Sequence, residues 1–155
     1  ISLLEGEVFR NAQLELSYRS NNNKLFTFGG RLIGGQFFGG KRYGLRADMS
    51  YRLGVLGSLS MTASYNYLDR EAPYSSASLF LLGPKFDITF TKKLFWTTFL
   101  QYNNQSDNFN INSRLQWRFL PASDMFLVYT DNYYSDFSAN KNRAIVLKVS
   151  YWLNM

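Results

Sequence analysis

The chain has 155 residues and contains neither Cys nor His, which removes disulfide frameworks, thiolate or imidazole metal sites and every His-dependent catalytic arrangement. Seventeen Lys and Arg against eleven Asp and Glu give a net charge of +6, but the basic residues are scattered rather than run together, so nucleic acid is not an expected partner. A mean hydropathy of −0.24, with no run near the ~18 apolar residues of a spanning helix, excludes a helical membrane bundle.

In chain order, the first expected strand covers Ser2 to Phe9, with Arg10 and Asn11 as its turn, and Gln13 to Arg19 follows. Short links are expected at Asn21–Lys24, Gly54–Gly57, Thr91–Lys93 and Pro121–Asp124, and longer polar ones at Gly34–Arg42, Asp69–Ser78, Asn103–Asn108 and Asp131–Asn142. Between them the side chains keep a period of two. Tyr43, Leu45, Ala47, Met49, Tyr51 and Leu53 alternate with Gly44, Arg46, Asp48, Ser50 and Arg52. Leu59, Met61, Ala63, Tyr65 and Tyr67 alternate with Ser58, Ser60, Thr62, Ser64 and Asn66. Phe86 to Phe90 and Leu94 to Tyr102 show shorter versions. Ile111, Leu115, Trp117 and Phe119 alternate with Asn112, Arg114, Gln116 and Arg118, with Ser113 diluting the apolar set. Met125 to Tyr129 is apolar on both faces, and its pattern does not choose an outward side. In the last strand Ile145, Leu147, Val149, Tyr151, Leu153 and Met155 share one face.

Helical spacing would put a polar residue on the buried stripe at every second step, so these are strands. Runs such as Tyr43–Leu53 exceed the usual ~5–6 residues of a globular strand and match the ~9–11 that cross a bilayer with tilt. The expected fold is all-β: an antiparallel up-and-down transmembrane β-barrel of about nine to ten strands. Neutral average hydropathy suits such a wall, because only alternate residues meet lipid. Outer-membrane barrels have short periplasmic turns and long outer loops, so the link lengths predict a bacterial outer membrane with the C-terminus periplasmic. Aromatic residues reinforce this as two interfacial girdles: Tyr51, Phe90, Phe95, Trp96, Trp117, Phe119 and Trp152 on the inner side, and Tyr43, Tyr65, Tyr67, Tyr102, Tyr133 and Tyr134 towards the outside.

The polar face carries Arg46, Arg52, Lys85, Arg114, Arg118 and Lys148 against Asp48 and Asp87. As lumen-facing residues they would favour anions, while ion pairing, such as Arg46 or Arg52 across strands with Asp48, explains them equally as a wet, satisfied interior. Loop carboxylates Asp69, Glu71, Asp107, Asp131 and Asp136 lack the spacing of a calcium loop and read as solvated. Gly34, Gly35, Gly39 and Gly40 around Phe37 and Phe38 read as a flexible hairpin tip. No Gly-x-Ser-x-Gly turn and no paired inward carboxylates appear, so neither an enzyme nor a cofactor is expected.

Two resemblances add to this. Lys148, Ser150, Tyr151, Leu153 and Met155 resemble the C-terminal signal read by the outer-membrane barrel assembly machinery, although Gly is commoner than Ser at the small position and an aromatic is commoner than Met at the end. The runs Asn110 to Tyr129, Arg143 to Leu153, Gly83 to Phe95 and Gln101 to Asn103 resemble a family of Bacteroidota outer-membrane proteins in which a carbohydrate-binding-like module precedes a long C-terminal barrel of unknown function. That resemblance implies the closing strands of a larger barrel, completed by an N-terminal part of the same barrel or by other chains. The expected function is a structural and transport role in outer-membrane lipid, with a polar, net-positive lumen. The alternative is a cell-surface binding protein whose outer loops dock polysaccharide or a protein partner.

Overall fold

The computed structural model describes residues 11–70, 75–134 and 139–153. They form one open nine-stranded antiparallel sheet in sequence order: β1 Gln13–Arg19, β2 Phe26–Phe37, β3 Gly40–Arg52, β4 Gly57–Asp69, β5 Ala77–Thr91, β6 Leu94–Asn103, β7 Asn108–Leu120, β8 Ser123–Tyr133 and β9 Asn140–Ser150. Every strand pairs with its chain neighbour, and among the described residues β1 and β9 are each bonded on one side only. The expected strand at Ser2–Phe9 lies outside the described residues.

Two kinds of turn join the strands. At the end shared by the links 20–25, 53–56, 92–93 and 121–122, here the near end, the chain turns within six residues or fewer. At the opposite, far end the expected long link Gly34–Arg42 is instead a two-residue turn, because the pairing of β2 with β3 runs on to Phe37 opposite Gly40. Phe38 and Gly39 both take positive φ, 46° and 77°. That pair of left-handed residues makes the tight hairpin whose twist matches the strands, and Gly39 accepts it without the Cβ penalty. The expected contrast of link lengths is therefore weak: 70–76 is the longest link, 134–139 only equals the near-end link 20–25, and 104–107 and 38–39 are short. At the near end Gly57 has φ 137°, and a Cβ there would lie 1.9 Å from the Asp87 carbonyl oxygen, so glycine lets β4 start directly against β5.

Pro84 sits in the interior of β5, opposite Met61. Proline offers no N–H to a ladder, and no pairing joins Gly83 or Pro84 to β6, while it resumes at Lys85 opposite Phe99. The Phe99 ring lies over Gly83, 3.3 Å from where a Cβ would stand, and covers the gap.

Register carries one set of side chains across all nine strands. Leu16, Leu32, Leu45 and Tyr65 are successive partners, as are Leu94, Trp117, Met125 and Val149. Directly paired residues point to the same side, so these rows build one apolar face and their sequence neighbours build a polar one. Met125, Leu127 and Tyr129 fall on the apolar face, and Phe126 and Val128 on the polar one.

The apolar face is the exposed one. In the interior strand β3, Tyr43, Leu45, Met49 and Tyr51 are exposed, while Arg42, Gly44, Asp48 and Ser50 are partly covered. In β4, Leu59 and Tyr65 are exposed while Ser58, Ser60, Thr62, Ser64 and Asn66 are partly covered. A flat sheet would shelter both sides equally, so the strands curl around the polar side. Among the described residues no hydrophobic side chain is buried. A soluble sandwich puts its apolar face inside; this sheet does the reverse.

Candidate functional site

The eight charged residues expected to share a face do so. Arg46, Asp48, Arg52, Lys85, Asp87, Arg114, Arg118 and Lys148 all lie on the sheltered polar side by register. The same register adds Arg19, Arg31 and Arg42, with Glu15 and Asp124, which no strict alternation singles out. Nine basic side chains thus face four acidic ones across the described sheet.

Pairing follows the pleat. Arg46 holds Asp48 through Nε and Nη2, both at 3.0 Å, and the Thr62 hydroxyl donates to the same carboxylate at 2.7 Å. Lys85 meets Asp87 at 2.8 Å, and Thr97 donates to Asp87 at 2.9 Å. Both ion pairs join residues two apart on one strand, whose side chains share a face, and not residues across strands as expected. Arg52 makes no such pair with Asp48. Cross-strand pairs do occur: Arg31 to Glu15 at 3.1 Å, and Arg118 to Asp124 at 3.2 Å, where Gln116 also donates to Asp124 at 3.0 Å. These pairs are partly solvated and each is worth at most about 1 kcal/mol. Their importance is the field they leave, which is positive.

The two flanks of this face differ. On the β1–β3 side Ser17, Arg19, Gly29, Arg31, Arg46 and Asp48 line a groove of about 630 Å³. On the β6–β9 side the basic groups lie against rings, Arg114 over Phe126 and Arg118 over Phe95, each 6.0 Å from the ring centre. Phe95 therefore belongs to the polar face, opposite Gln116, and not to an aromatic girdle. Towards the far end the same flank is rich in amides: Asn110 donates to Asn132, and Asn112 donates to Thr130 at 2.9 Å.

No family model matches this chain, and no curated protein matches it. Among solved structures it is similar to one described as KdgM porin in complex with disordered oligogalacturonate, at 15% identity and a TM-score of 0.42, with 79% of this chain and 67% of that chain covered.

Polar groups also interrupt the apolar face, and they bond to one another. Ser113, which seemed only to dilute the pattern, accepts the Trp96 indole N–H at 2.8 Å and bonds the Thr98 hydroxyl at 2.8 Å. Asp131 is no loop carboxylate. It lies in β8 opposite Arg143 of β9, and its side chain is fully covered. Arg143 Nε donates to its Oδ2 at 2.8 Å, and the hydroxyls of Tyr129 and Tyr133 donate to the same oxygen at 2.5 and 2.6 Å. Arg143 Nη2 also donates to the Tyr133 hydroxyl at 3.0 Å.

Ring contacts mark the near end of the apolar face, where Phe90 stacks on Trp96 and Phe119 on Tyr151. Lys148 and Ser150 are polar-face residues, Tyr151 is fixed by that stack, and Leu153 is exposed. Met155, the last member of the expected assembly signal, lies outside the described residues, as do Glu71 and Asp136.

Proposed function

We propose that this chain is part of the wall of a transmembrane β-barrel in a bacterial outer membrane, with its polar, net-positive face lining a passage for solutes. One observation carries the reading: a continuous face of large apolar side chains stays exposed while the polar face is sheltered, with no buried hydrophobic side chain among the described residues. Water would oppose that arrangement by about 25 cal/mol per Å² of apolar surface, whereas lipid removes the cost. A chain of neighbouring hairpins with two edges calls for further strands, since closure alone removes the edges. We assign that role to an N-terminal part of the same barrel, with the C-terminus on the periplasmic side and the assembly machinery as the partner that reads β9.

The excess of basic groups on the sheltered face supports passage of anions over cations. Planar-bilayer recording of the full-length protein under a salt gradient tests both statements. Conductance with an anion-selective reversal potential is expected. A detergent-free soluble monomer would overturn the barrel, and cation preference would overturn the anion passage alone.

The alternative, recognition of polysaccharide at the outer surface, draws on the amide-rich far end of β7 and β8. Amides both donate and accept, which suits sugar hydroxyls. Glycan binding that is abolished by Asn110→Ala with Asn132→Ala would favour it.

A further inference from the structure

An ion pair on the apolar face needs an explanation that the passage does not provide. Arg143 and Asp131 point away from the polar side, in the row of Ile111, one step from Ile145 and two from Leu127. Arg or Lys on the lipid side of a barrel costs about 2–4 kcal/mol at the bilayer midplane and about 0–1 near the interface. Asp131 lies two residues from the far end of β8, and Arg143 three from the start of β9, so the pair stands at interfacial depth.

The cluster is lopsided. Its carboxylate half is sealed: three donors converge on Oδ2, and Oδ1 is buried without a partner. Its guanidinium half is less covered: Arg143 stands on β9, at the edge of the described sheet, with its side chain 51% exposed. Of the five N–H donors of Arg143, the Nε–H and one on Nη2 are used. The rest of Nη2 and both N–H groups of Nη1 have no partner among the described residues. Asp131 and the tyrosines hold the planar fork still, so its free edge is presented in one orientation. Just beyond it, Lys141 Nζ lies 4.4 Å from the Tyr134 ring centre and donates to the Ser106 and Asp107 carbonyls, which keeps a second cation at the same rim.

We infer that Arg143, oriented by Asp131, Tyr129 and Tyr133, binds the phosphate of an outer-leaflet lipid headgroup. A planar guanidinium edge matches two phosphate oxygens, and at this depth an anchored phosphate is the anion that can reach it from the lipid side. The tyrosine hydroxyls act as positioning groups, and the apolar residues below the cluster meet the acyl chains. This inference rests on the membrane reading above.

The test uses the full-length protein in detergent, titrated with dihexanoyl phosphatidic acid, dihexanoylglycerol or inorganic phosphate, with thermal unfolding and direct binding as readouts. Wild type should bind the phosphatidic acid and ignore the uncharged dihexanoylglycerol. Arg143→Lys keeps the charge opposite Asp131 but loses the fork, and should bind at least about tenfold more weakly. The double variant Asp131→Asn with Arg143→Gln leaves no unpaired charge and should not bind. Equal binding by wild type and the double variant would overturn the site, as would equal protection by dihexanoylglycerol. Equal protection by inorganic phosphate would overturn the lipid as its source. A dimer lost in Arg143→Lys, with no response to lipid, would assign the fork to a second copy and overturn the headgroup. Heat-modifiable migration of the same samples in gels reports the barrel: its absence sinks the proposed function, and its presence without a phosphate response sinks only this inference.

Discussion

Arg46–Asp48 and Asp131–Arg143 are the same two chemical groups at nearly the same separation, 3.0 and 2.8 Å, on opposite faces of one sheet. On the polar face both partners keep substantial solvent contact, and neighbours supply only a threonine hydroxyl. On the apolar face the carboxylate is wholly enclosed by two tyrosines and an arginine that bond it together. A medium that solvates charge leaves an ion pair loosely built, whereas one that does not favours partners supplied by the protein. On the proposed membrane reading, the architecture around each pair follows the solvent its face would meet.

The largest test of that contrast is to put a charge where the apolar face has none. Leu127 lies mid-strand between Leu115 and Leu147, and Leu127→Arg should destabilise the membrane-inserted protein by about 2–4 kcal/mol, measured by urea unfolding in vesicles. Ser64→Arg, mid-strand on the polar side, should leave the same unfolding curve within about 0.5 kcal/mol. Equal losses from the two would erase the distinction between the faces. An intermediate loss is expected for Asp131→Asn, which leaves Arg143 without its counter-charge on the apolar face, read in the same assay. The smallest effect belongs to Asp48→Asn: at most about 1 kcal/mol of stability, because the pair is solvated. That substitution should instead appear in transport, as a reversal potential moved further towards the anion limit, since it removes one of the few acidic groups on the face.

The sequence made the faces legible and the edges of elements less so. Strict alternation over Tyr43–Leu53 and Ser58–Tyr67 already assigned the two sides, because a period of two leaves no other arrangement. In β2 the pattern Gly29, Gly30, Arg31, Leu32, Ile33, Gly34, Gly35 hid the sides, since glycine has no side chain to declare one and Ile33 lies on the polar face. Arg31 went unnoticed for that reason. Asp124 was assigned to a turn because Pro121 begins the link, yet pairing resumes at Ser123. Asp131 reads as a loop residue in the sequence because a charge on an apolar face contradicts the pattern that defines the face. Only the register with β9 showed that Arg143 answers it. Link length at Gly34–Arg42 misled in the opposite way: clustered glycines suggested slack chain, whereas one of them serves the sharpest turn in the far end.

Because each described strand pairs only with its chain neighbours, the hairpin is the smallest unit that can be gained or lost without disorder. Adding two strands returns the chain to the same end of the sheet and the same in–out parity, and changes only the circumference. Adding one would reverse the direction of every strand downstream. A wall built this way can change its bore across evolution by duplicating a tile of about thirty residues, while the recognition surfaces on the remaining tiles stay as they were.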